Sequence, residues 1–259
     1  MGLFDFLKPK GPPPTVAPAA PTAKQPYLGD LAKTAEIYQL VDTPPADRDE
    51  AWNAAFLANL SAASFRCGDP QVIQGPDGFP YVHLLLPEPG VGFQCYVIER
   101  MKDDFLLERG LGVVIKADDS APDWVLSYGD ILNLHLNNEF YTTAETPFSK
   151  EVSDENIKTE EKVLVGQPAE TILPQVTRNV LREFLESNGV SSPKVSLMMR
   201  HQQNETKVSQ DLAFNITPKN FGSEEDFRTV MERLPWFLPR HYSIVGLREM
   251  ALEDGFMHL

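Results

Sequence analysis

Two stretches poor in large apolar side chains divide this chain, and they limit what it can fold into. The first is GPPPTVAPAAPTAKQP, ending at Pro26. Proline fixes φ and lacks the amide donor, so this stretch is expected to be an extended, semi-rigid tether rather than part of a core. The second runs from Glu145 to Glu161 and is acidic and polar. It reads as a linker or exposed loop between two halves. The expected organisation is an apolar tip plus tether over 1–26, an N-terminal α+β domain over 27–146, an acidic linker over 147–161 and a C-terminal α+β domain over 162–259. Each half is long enough to bury its own core.

Ahead of the tether stands MGLFDFLKPK. Leu3, Phe4, Phe6 and Leu7 can share one side of a helical turn. A sticky tip on a tether suits docking into a partner's groove, or peripheral contact with a membrane face. A loose terminus with apolar residues by chance is the plainer reading. Gly2 is present, but Phe6 occupies the position where an N-myristoylation signal needs Ser or Thr.

In the first half, Thr43, Pro44 and Pro45 suit a helix start. Trp52, Phe56 and Leu60 then recur every four residues, which predicts a single apolar stripe. Gly75-Pro76-Asp77-Gly78 predicts a hairpin turn before a strand over Phe79–Leu86. Further expectations are a helix over Phe93–Arg109 closed by Gly110, strands at Leu111–Lys116 and Trp124–Leu126, a helix starting at Ser127 or Asp130, and an extended Phe140–Thr143. The second half reads strand Lys162–Val165, a helix from Pro174 to Gly189, strands Lys194–Met199 and Asp211–Ile216, a helix capped by Ser223 and Asp226, and strand Tyr242–Leu247. That is β-α-β-β-α-β order, as in a ferredoxin-like or split βαβ unit. The first half from Phe79 fits the same order. The fold class is α+β, with two small sandwich-like units.

The stretch KVLVGQPAETILPQVTRNVLREFLESNGVSSPKVSLMM opens with a strand ending in Gly166-Gln167-Pro168-Ala169-Glu170. It resembles the C-terminal domain of the enhanced-serine-sensitivity (SseB) family, over about a third of the chain; the N-terminal half does not match. The resemblance implies a bacterial cytoplasmic protein of non-enzymatic role, with no catalytic residues to carry over.

Composition excludes several classes. A net charge of −14 repels a phosphate backbone, so nucleic acid is not the expected partner. No segment reaches the roughly 20 apolar residues of a membrane span. Cys67 and Cys95, the two cysteines, read as reduced thiols. With no signal-peptide layout, they point to a cytoplasmic protein. The serine-elbow, zincin, P-loop, Cys-x-x-Cys and calcium-loop signatures are all missing. Neither a cofactor nor a metal is expected. A metal site joining His83 to Cys67, Cys95 or His135 is conceivable, but a hydrogen-bonded structural histidine is the simpler reading. The carboxylate runs Asp103-Asp104, Asp118-Asp119 and Glu224-Glu225-Asp226 read as solvated faces or helix starts.

The remaining candidate is aromatic. Trp236, Phe237, Arg240 and Tyr242 gather around two prolines, and Trp, Tyr and Arg are enriched at interface hot spots. Core packing is the competing reading. The expectation is therefore a non-catalytic protein-interaction module that binds another protein through the tip or this aromatic group. The alternatives are an immunity protein or chaperone for a secreted effector, and a hydrolase using His83 or His135 with a carboxylate.

Overall fold

Aspartate caps set where the first helices begin. α1 (Leu31–Val41) starts after Asp30, whose Oδ1 accepts from the amides of Ala32 and Lys33 at 2.9 and 3.2 Å. α2 (Glu50–Leu60) starts after Asp49, which accepts from Trp52 N–H at 2.8 Å. Such caps satisfy donors that lack a partner in the first turn. The expected start at Thr43–Pro45 is displaced: a short 3-10 turn, Pro45–Asp47, precedes the helix. Trp52, Phe56 and Leu60 all lie buried, as their spacing predicts.

The computed structural model describes residues 27–116, 121–148, 163–201 and 208–259. The tip with Leu3, Phe4, Phe6 and Leu7, the tether, Asp118-Asp119 and nearly all of the acidic stretch lie outside the described residues.

The first sheet has the order β1-β2-β3-β4, made of β1 (Arg66–Gln74), β2 (Pro80–Leu85), β3 (Gly112–Lys116) and β4 (Trp124–Leu126). β1 and β2 form the expected antiparallel hairpin. Gly78 takes φ +81°, a conformation that favours glycine. β2 and β3 run parallel, and β4 returns antiparallel. The connection between β2 and β3 is α3 (Ile98–Met101), a π-helical turn (Lys102–Leu106) and α4 (Leu107–Arg109). Gly110 ends it in the left-handed region, as expected. The helix begins five residues later than Phe93. Tyr96 exchanges both backbone hydrogen bonds with Phe65 at 2.8 Å, and this bridge holds the chain extended up to Val97. α5 (Tyr128–Asn137) follows, capped reciprocally by Ser127 and Asp130. Phe140–Thr143 is not a strand. Phe140 is buried, and Asn133 Nδ2 donates to Glu139 O and Thr142 Oγ1 at 2.9 and 3.1 Å, so side chains rather than a ladder hold this segment.

The second half contains β5 (Val163–Gly166), α6 (Gln175–Ser187), β6 (Lys194–His201), β7 (Val208–Phe214), α7 (Glu224–Arg233), β8 (Ile244–Gly246) and β9 (Met257–His258). The β-α-β-β-α-β order is present, with β9 added. The adjacency is not that of a split βαβ, in which another strand separates the first two. Here β5 and β6 are direct antiparallel neighbours, and the sheet runs β5-β6-β7-β8, with β7 and β8 parallel. β9 pairs with the start of β6, opposite Lys194 and Val195.

The fold is α+β, and one apolar cluster runs through both halves. It includes Ile37 and Phe56 from the first helices, Leu84 and Ile115 from the first sheet, and Leu181 and Phe214 from the second half. Alternate residues of β6 and β7 face opposite ways. Val195, Leu197, Leu212 and Phe214 join the large cluster. Met198 and Ala213 meet Leu252, from the 3-10 turn Glu249–Gly255, on the other face. Among the described residues no helix is long and apolar enough to cross a membrane.

Candidate functional site

The aromatic residues singled out above sit where the two halves meet. Pro235 lies in a 3-10 turn, Leu234–Phe237, that follows directly on α7 and delivers two rings to the first sheet. Trp236 stacks on Phe79 at 4.1 Å between centroids. Its Nε1 donates to Tyr81 Oη at 2.7 Å, and the Tyr81 hydroxyl in turn donates to Asp77 Oδ2 at 2.5 Å. Burial, together with the Asp77 carboxylate, pushes the Tyr81 hydroxyl far above the usual phenol range. Phe237 is buried, edge-on to Phe79 and tilted against Phe184. The Arg233 guanidinium lies 4.6 Å above the Phe79 ring.

Arg240 reaches the same joint from the other side. Its Nε and Nη2 bind the two oxygens of Asp130 at 2.7 and 2.9 Å, a bidentate fork. Asp130 is fully buried, whereas the Arg240 side chain is 60% exposed. Asp130 also accepts Ser127 N–H at 2.9 Å, so one carboxylate both caps α5 and holds the second half. Arg240 lies over the Tyr141 ring at 4.1 Å and donates to its hydroxyl, which also receives Trp124 Nε1 at 3.1 Å. Next to Asp130, Gly129 leaves no room for a side chain: a Cβ there would stand 2.0 Å from the Leu238 carbonyl oxygen. Tyr128 Oη lies 3.0 Å from Thr177 Oγ1 inside this joint. Tyr242 stacks on Phe148 at 3.9 Å and donates to Ile172 O at 3.0 Å; burial pushes its hydroxyl up to about 12.

Trp236, Phe237, Arg240 and Tyr242 are thus brought together, and all four are engaged within the chain. The residue missed from sequence is Asp130. Its capping role is readable from Ser127, but its partner lies 110 positions away and no local spacing announces it.

The histidines separate. His83 packs over Gly68, where a Cβ would come within 2.1 Å of its Nδ1. His135 Nδ1 lies 2.9 Å from Asp103 Oδ1, and Lys102 Nζ meets the other Asp103 oxygen at 2.5 Å. Burial alone would raise the Asp103 carboxyl, but hydrogen bonds and charge from Lys102 and His135 outweigh it and hold the group below the ordinary carboxylate range. The π-helical turn presents Asp103 to α5, and such turns are frequent at functional positions. Burial depresses His241, which lies edge-on to Phe148 and Tyr242, while Glu139 pulls the other way. Cys67 and Cys95 are free thiols, and burial raises Cys67. Among the described residues no three metal-ligating side chains gather.

Among the described residues, the exposed apolar side chains include two groups of neighbouring residues. Leu164 and Val165 on the edge strand β5 are 66% and 39% exposed. At the start of the described body, Tyr27, Leu28 and Leu31 are also exposed, Leu31 at 76%. The backbone there is held: Ser64 Oγ donates to Leu28 O at 2.5 Å, and Cys95 Sγ does so at 3.3 Å. Compared with protein-family models, curated proteins and solved structures, the chain matches none.

Proposed function

We propose that the chain is a non-catalytic protein-interaction module of the cytoplasm, with an SseB-like C-terminal half, whose partner is another protein gripped near the N-terminus. One observation carries this reading: the body offers a firmly held root, Leu28–Leu31, whose apolar side chains Leu28 and Leu31 are exposed. Exposed apolar groups next to a fixed backbone bind at a lower ordering cost than the same groups on a free chain. The aromatic joint does not carry the reading, because its side chains are already in use.

Native co-purification comparing the full chain, a chain lacking residues 1–26 and a Leu28→Asp/Leu31→Asp variant tests it. Partner recovery should fall in both altered chains. Equal recovery from all three would remove the proposal.

A second reading has one observation in its favour. The Asp103–His135 contact is the pairing by which a carboxylate orients an imidazole as a general base, so a hydrolase remains a defined alternative. Turnover of a panel of ester and amide substrates that disappears in His135→Gln would favour it over the interaction module.

A further inference from the structure

β5 is an outer strand of the second sheet, and among the described residues its one strand partner is β6. An edge strand leaves half of its N–H and C=O groups outside the ladder, free to pair with another chain. β1, the long outer strand of the first sheet, is closed against such pairing: Pro70 removes a donor, and the register shifts between Cys67 and Val72. β5 reads Val-Leu-Val-Gly and is in unbroken register with β6, with no proline, charge or bulge to close its edge.

The strand is apolar on both faces. Leu164 stands exposed beside Met199 on one face. On the other, Val163 packs with Met198 and Leu252, and Val165 lies against Gly255. The backbone is held, since all four residues pair with β6 and Ser196 Oγ donates to Gly166 O at 3.3 Å. A held edge with apolar groups on both faces takes an added strand at low ordering cost. A second copy of the chain is a poor occupant on two counts. A four-residue strand is only about 13 Å long, and pairing two of them buries a fraction of the roughly 1,200–2,000 Å² that stable dimers need. Each copy also carries a net charge of −14, so copies repel, whereas a cationic segment is attracted.

We propose that β5 is extended by a strand of the partner protein: a short extended segment with apolar or β-branched side chains and lysine or arginine at its ends. The proposal rests on the interaction reading above and adds a second point of contact with its chemistry. Two contacts on one partner act together, so a short edge suffices.

The test is a titration of the isotope-labelled full chain with the peptide acetyl-Lys-Val-Thr-Val-Thr-Val-Lys-amide, followed in amide NMR spectra. The control is the same peptide N-methylated at its five central residues, which keeps the charge and side chains and loses the strand donors. Saturable shifts and slowed hydrogen exchange at Val163–Gly166 are expected with the probe and none with the control. Leu164→Lys, a change at an exposed position, should weaken binding about threefold or more, through a lost apolar pair and repulsion of the basic ends. The variant's own amide spectrum reports that its fold is kept. Shifts scattered elsewhere, equal binding of the control, or unchanged affinity in Leu164→Lys would each overturn the proposal. So would β5 shifts that grow with the concentration of the chain alone, which would assign the edge to a second copy. Partner recovery that falls in Leu28→Asp/Leu31→Asp but not in Leu164→Lys would remove the β5 contact while leaving the interaction reading standing. The reverse pattern would remove the N-terminal grip and keep β5.

Discussion

Replacing Arg240 by methionine would leave the Asp130 carboxylate buried with no cation beside it. Removing Asp130 instead would release an arginine that already reaches water. The two losses are therefore unequal. Arg240→Met is expected to lower stability by about 3 kcal/mol, and Asp130→Asn, which keeps the shape and one accepting oxygen but turns the other into a donor facing donors, by about 1–2 kcal/mol. Urea unfolding midpoints compare them; equal losses would contradict a buried charge that depends on its partner. Gly129→Ala acts by crowding, since the Leu238 backbone occupies the space of a Cβ. A cost of about 3 kcal/mol is expected in the same experiment. His241 titrates in the opposite sense to a paired histidine. Its folded value lies below the unfolded value of about 6.5, so the unfolded chain binds the proton more readily. Its contribution is present above that pH and is lost as pH falls through the folded value. In His241→Gln the part of the stability loss that sets in below about pH 6.5 should be smaller than in the natural chain, as read from melting temperatures across pH.

At the scale of elements, local chemistry explains the starts and stops. Asp30, Asp49, Ser127 and Ser223 each accept a backbone amide of the helix they precede. Gly110 closes the helical connection that ends in α4. These are short-range facts; the Ser127, Ser223 and Gly110 signals are read correctly from the chain, whereas α2 is capped by Asp49 rather than started at Thr43. The late start of α3 is not legible locally, because it depends on Tyr96 pairing with Phe65, 31 positions back. β9 shows the same dependence. It is two residues long and has no strand signal of its own. It is held by pairing with β6, by buried Leu259, and by Arg182 Nη1 donating to Leu259 O at 3.0 Å. Leu259→Ala should cost about 2–3 kcal/mol through lost burial. A melting temperature equal to that of the natural chain would show that β9 does not seal the core.

The molecule as a whole is two sheets joined through one apolar cluster. Because Trp236, Arg240 and Tyr128 link the halves, unfolding is expected to be a single cooperative transition, with tryptophan fluorescence and far-ultraviolet circular dichroism coinciding. Two separated transitions would mean that the halves stand alone. The α+β class, the stripe on α2, the Gly75–Gly78 hairpin and the order of elements in the second half were determined by the sequence itself. Each follows from spacing, capping or turn chemistry within a few residues. Strand adjacency was decided only by the tertiary structure, because alternation says which side chains share a face and not which strand lies alongside. The same holds for the aromatic group. Trp236, Phe237, Arg240 and Tyr242 look alike in sequence whether they face a partner or the chain's own other half. Phe79, Tyr81, Asp130 and Phe148, brought to them by the fold, made them an internal joint, and the physical reason is burial: large rings and a paired charge leave water for whichever surface the fold presents.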